Sequence, residues 1–123
     1  MRALYLIDSI TEITPAMSGA VIVSGSHGGR SVSVYALGIQ PYPHAVFFND
    51  AGIGKERAGI VALDHLEMAG VICAAYSHDS ARIGEARDGL EHGVVSAINR
   101  QGQTAGCTQG TTVIATVERL RQT

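Results

Sequence analysis

The chain has 123 residues, 46% of them hydrophobic and 16% charged, with a formal net charge of −2. This length fits one domain over residues 1–123, with enough core to fold without cross-links, and the composition excludes a disordered, highly charged chain. Trp is absent and no basic run is interleaved with aromatics, so neither nucleic acid nor an anionic membrane is expected as a partner.

The apolar stretch at the N-terminus is cut by Asp8, too early for a signal-peptide core or a membrane span, and a cytoplasmic location is expected. The two cysteines agree with it: Cys73 falls in an apolar run and Cys107 in a Gly/Thr/Gln segment, without the spacing of a disulfide framework or zinc knuckle. Low charge for so small a domain also suggests surface covered in a homo-oligomer.

In chain order, Ala3 to Asp8 reads as a strand. Ser9 to Gly19, with Pro15 inside it, reads as a hairpin return or a short crossover helix. Ala20 to Gly25 is a second strand and Arg30 to Gly38 a short helix, which Gly38, Pro41 and Pro43 end. His44 to Asp50 is a third strand. Lys55 to Gly70 follows as a helix with Ile60, Leu63 and Leu66 at turn spacing and Glu56 and Arg57 at its start. Gly70 to Ser77 is a fourth strand. A helix from about Arg87 to Gln101 would place Leu90, Val94 and Ile98 on one stripe, with Gly89 and Gly93 each weakening it by ~1 kcal/mol. Thr111 to Gln122 closes the chain as a helix, with Thr111 or Thr112 as N-cap and Val113, Val117 and Leu120 on its apolar face.

The strand runs after the first are near-continuously apolar, the pattern of strands covered on both faces. Alternating strands and helices imply a three-layer α/β/α sandwich around a small, mostly parallel sheet of about four strands.

Three apolar runs end in polar clusters, which open parallel sheets place at the carboxyl ends of their strands, where ligands bind. The clusters hold Ser24, Ser26, His27, Gly28, Gly29 and Arg30; then Asn49, Asp50 and Lys55; then Ser77, His78, Asp79, Ser80 and Arg82. Any one of these loops also reads as ordinary turn and cap chemistry. Their convergence on one sheet edge points to a shared pocket.

Three chemistries suit these residues. Glycine-rich turns with Arg30, Lys55 and Arg82 could clamp an anion, with Gly28 and Gly29 offering backbone N–H groups, although neither a P-loop nor a dinucleotide fingerprint is present. His27 and His78 could act as acid or base with Asp50 and Asp79 as orienting carboxylates; no Gly-x-Ser-x-Gly elbow supports a serine nucleophile. His27, Asp50, His78 and Asp79 could instead hold a divalent metal, although no cofactor is specified by spacing. Lys55 is the sole lysine beside eight arginines, and reads either as a phosphate ligand or desolvated Schiff-base amine or as the product of a general bias toward arginine. His44, His65 and His92 fall outside the clusters, while Ser96, Asn99 and Thr111 lie where they could reach a neighbouring site or simply cap and face water.

The expected function is a small enzyme of hydrolase, isomerase or lyase type acting on a small anionic metabolite. Its rivals are a non-catalytic anion- or nucleotide-binding regulatory domain and an assembly subunit.

Overall fold

Near-continuous apolar runs become the inner strands of the sheet because both of their faces are covered. In a computed structural model describing residues 1–123, the strands are β1 (Leu4–Ile7), β2 (Val21–His27), β3 (Ala45–Asn49), β4 (Ile72–Tyr76) and β5 (Val95–Ile98). They lie across the sheet in that order, the first four parallel and β5 antiparallel to β4. Successive residues alternate between layers: Ile22, Val46, Phe48, Cys73 and Ala75 face one core, and Val21, Val23, Phe47, Ala74 and Tyr76 the other. The first core is closed by α1 (Val32–Ala36) and α2 (Val61–Met68), the second by α3 (Ala86–His92) and α5 (Val113–Arg121). The short α4 (Arg100–Thr104) packs beside β4. This is the expected three-layer α/β/α sandwich, with five strands instead of four.

Each parallel crossover joins neighbours in the sheet, and all of them run over the first face. Doubly wound sheets open a crevice where adjacent crossovers part to opposite sides, and no such point occurs between β1 and β4. The chain changes side only after β4. Residues 77–85 then cross the carboxyl end of the sheet, tied by Asn49 Nδ2 donating to the Ala81 carbonyl (3.0 Å) and Gly84 N–H to the Gly25 carbonyl (2.6 Å).

Three segments depart from the sequence-based expectation. The helix expected over Arg87 to Gln101 is α3, β5 and α4: Gly93 ends the first, Val94 bridges to Thr112, and Val95–Ile98 join the sheet edge. Gly89, which weakens a helix in isolation, is required here, since a Cβ would lie 2.7 Å from Tyr76 Cζ. That close packing seats the Tyr76 hydroxyl to donate to the Ser24 carbonyl at 2.6 Å, across β3. The helix expected from Lys55 begins only at Val61; Lys55–Ile60 is a 3-10 stretch in which Glu56 and Arg57 have left-handed backbones. Ser9 to Gly19 forms two 3-10 turns, Ile10–Glu12 and Pro15–Met17, the first closed by a Ser9/Glu12 capping box. Elsewhere the pattern holds: Thr112 caps α5 by accepting from Ala115 N–H, and Val113, Val117 and Leu120 are fully buried.

No helix is long and apolar enough to cross a membrane. Cys73 and Cys107 are both buried and unpaired.

Candidate functional site

Asn49 pairs with Tyr76, so the residues leaving β3 and β4 emerge side by side. Asp50 is thereby set against the backbone of His78. Asp50 Oδ1 accepts from Gly52 N–H (2.7 Å) and His78 N–H (3.0 Å), and Oδ2 accepts from Ser96 Oγ (2.7 Å) on β5. The Asp50 side chain is only 5% exposed. Burial pushes its carboxyl up, but donation by Ser96, Gly52 and the His78 N–H, with the imidazole nearby, outweighs it and holds Asp50 below the usual carboxylate range.

The His78 ring is 51% exposed and lies between two carboxylates, with Nδ1 3.4 Å from Asp50 Oδ1 and Nε2 3.2 Å from Asp79 Oδ1. Asp50 is fixed by its donors, whereas Asp79 is solvent-exposed and can swing away. One ring nitrogen thus meets a buried charge and the other an exposed one, and the histidine lines an open cavity of about 300 Å³ with Asp79, Ser80, Arg82 and Asp88. The loop is shaped by its own serines: Ser77 Oγ accepts from Asp79 N–H, and Ser80 Oγ donates to the Ser77 carbonyl and accepts from Val94 N–H. Arg82 reaches out, with Glu85 at 3.9 Å as its charged partner. Below it, Asp88 accepts from Arg82 N–H (2.7 Å) and meets His92 Nδ1 at 2.9 Å; these contacts, the first foremost, hold Asp88 below its usual range.

The cluster at the end of β2 has a different fate. Between Val23 and His27 the register against β3 slips, so this stretch bulges and delivers His27 to the surface. His27 makes no hydrogen bond or ion pair; its ring lies over Gly29, where a Cβ would come within 2.6 Å of Cε1. A separate shallow cavity, lined by Asp8, Ser26, His27 and Val32, lies beside it. Ser24 Oγ accepts from Ser26 N–H and Ser26 Oγ from Ile10 N–H, so both hydroxyls serve the backbone.

The expected Gly28–Gly29 anion clamp lacks its Gly28 donor. Gly28 N–H donates to the Asn49 carbonyl (3.2 Å), its carbonyl accepts from Ala62 N–H (2.9 Å), and α1 is only five residues long. Asn49 is buried and occupied, accepting from Ala51 N–H and donating to Ala81. Arg30 and Lys55 are exposed, have no ion-pair partner and do not line the His78 cavity. His27 and His78 therefore line different cavities, and the three loops do not share one pocket. No group of three or more His, Cys, Asp or Glu side chains is placed to hold a metal, so the set His27, Asp50, His78 and Asp79 does not assemble as ligands.

Ser96 and the Asp88–His92 pair complete the β3–β4 corner. The latter was readable as an i, i+4 pair on a helix. Ser96, expected either to reach a neighbouring site or to cap and face water, could not be tied to Asp50 while its segment was read as helix. Next to this corner, Ala51, Ile53, Glu56 and Arg57 have φ of 50°, 66°, 54° and 60°. For the β-branched Ile53 that conformation costs about 1–3 kcal/mol, offset by Ile53 N–H to the Asp50 carbonyl (2.6 Å) and Gly59 N–H to the Ile53 carbonyl (2.7 Å).

Compared with known proteins, the chain matches no family model, no curated protein and no solved structure.

Proposed function

We propose that the chain is a small cytoplasmic acid–base enzyme that acts on a small anionic metabolite, by hydrolysis, isomerisation or elimination, at the corner where β3 and β4 end. His78 is the acid–base residue, Asp50 positions it, and Arg82 pairs with the substrate's negative charge. One observation carries this reading: a half-exposed imidazole beside a buried carboxylate that three donors keep ionised. The buried carboxylate directs Nδ1 inward so that Nε2 serves the substrate once Asp79 moves aside. Arg82 supplies two parallel donors suited to a carboxylate or phosphate. His27 has no part in this chemistry.

The test is turnover of a panel of activated carboxylic and phosphate esters, run on the wild type, His78→Gln, Arg82→Gln and His27→Gln. His78→Gln is expected to lower kcat by about 100-fold or more with an unchanged thermal midpoint, in keeping with the usual share of a positioned acid or base. Arg82→Gln should chiefly raise KM, and His27→Gln should do neither. Full activity in His78→Gln, or no turnover of any panel member by the wild type, removes this reading.

A further inference from the structure

The largest cavity of the molecule, about 540 Å³, shares no lining residue with the His78 pocket and lies between the left-handed loop, β5 and the segment after α4. Ile53, Ile60 and Ile98 form an apolar floor, while Arg57, Gln103 and Ser96 place polar groups around it. A largely apolar cleft with a few placed polar groups, and a volume within the range of about 300–1,000 Å³, is the make-up of a small-molecule site.

The polar groups define what fits. The Arg57 guanidinium makes no hydrogen bond and meets only the exposed Asp64, at 3.9 Å, so it is available to a carboxylate at the mouth. Ser96 is more restrictive. Its Oγ–H is given to Asp50 Oδ2 at 2.7 Å, so only its lone pairs remain, and it can accept but not donate toward the cleft. The ligand must then carry a negative end, a short aliphatic body and a hydrogen-bond donor.

We infer that this cleft is a second ligand site, distinct from the His78 pocket, that takes a short-chain hydroxycarboxylate, with its carboxylate on Arg57, its carbons on the isoleucine floor and its hydroxyl donating to Ser96. Ile53 explains why a costly backbone is kept there: the left-handed turn makes a branched aliphatic side chain part of the wall. The site stands whether or not His78 is catalytic, because it calls on Asp50 only to hold the Ser96 hydroxyl hydrogen and uses neither His78 nor Arg82.

The experiment is amide chemical-shift titration of the ¹⁵N-labelled full chain with 3-hydroxybutyrate and, separately, with butyrate. Saturable shifts are expected at Ser96, Ala97, Ile98 and Gln103, with 3-hydroxybutyrate binding at least about threefold tighter than butyrate, as one accepted hydroxyl provides. Arg57→Gln should weaken both acids about tenfold, as loss of a charge-assisted pair does. Ser96→Ala should abolish the preference between them while leaving a dispersed, folded spectrum. No saturable shift at these amides, shifts centred instead on Ser80 to Arg82, or an undiminished preference in a folded Ser96→Ala would each overturn the assignment. Failure here leaves the ester assays of His78→Gln untouched, and failure of those assays leaves this titration untouched.

Discussion

Two corners of one sheet edge start from nearly the same residues, Ser26-His27 with Arg30 and Ser77-His78 with Arg82, and arrive at opposite environments. At the end of β2 the histidine is delivered by a bulge to the surface, over Gly29 and without a partner. At the end of β4 the ladder with β3 stays in register, and that strand presents Asp50 to the second histidine. A short polar motif after a strand is therefore not a site by itself. What the adjacent strand places beside it decides whether an imidazole is a surface group or an oriented one.

The contrast can be broken most severely at Asp50. Asp50→Ala leaves the Gly52 and His78 N–H groups and the Ser96 hydroxyl without their acceptor, and should lower unfolding free energy by about 3 kcal/mol in urea titration. Asp50→Asn retains an acceptor oxygen and should cost about 1 kcal/mol at neutral pH, but it changes the pH dependence. Because the folded carboxyl lies below its unfolded value, its stabilisation is fully present above the unfolded pKa and is lost as pH falls through the folded one. Urea midpoints of the wild type should therefore drop as pH is lowered from about 5 to about 2.5, and the Asp50→Asn variant should lose that part of the slope. At the other corner the effects shrink. Gly29→Ala pushes a Cβ against a ring that is free to turn away, a cost of about 0.5 kcal/mol, and His27→Gln should stay within about 0.5 kcal/mol of the wild type by thermal denaturation. A loss of more than that in His27→Gln would erase the contrast, since it would give that ring a structural task.

The sequence carried the inner sheet clearly because burial on both faces leaves an unmistakable mark: Ala20 to Gly25, His44 to Asp50 and Gly70 to Ser77 are all strands within a residue or two of the expected ends. It concealed β5, where Leu90, Val94 and Ile98 recur at helical spacing although they belong to a helix, a bridge and a strand edge. Only Gly93 hinted at the break, and with the strand hidden, Ser96 could not be assigned to Asp50. The left-handed path at Glu56 and Arg57 was equally invisible, since these residues favour ordinary helix, while the turn is closed by Arg57 N–H on the Gly54 carbonyl and Gly59 N–H on the Ile53 carbonyl. The pairing of Asp50 with His78 followed from their positions just beyond two strands. The separation of His27 did not, because a register slip leaves no signature in residue type.

Consecutive neighbours in the sheet also bear on how the molecule is made. Every parallel strand after the first pairs with the segment that left the ribosome just before it, so the growing chain need hold no sticky edge open for a distant partner. The exception is at the seam: Arg2 N–H donates to the Arg121 carbonyl and Arg121 Nε to the Arg2 carbonyl, both at 2.8 Å. Docking of α5 is thus the step that joins the segment before β1 to the final helix, and until then the part of the second sheet face that α3 leaves uncovered stays bare to chaperones.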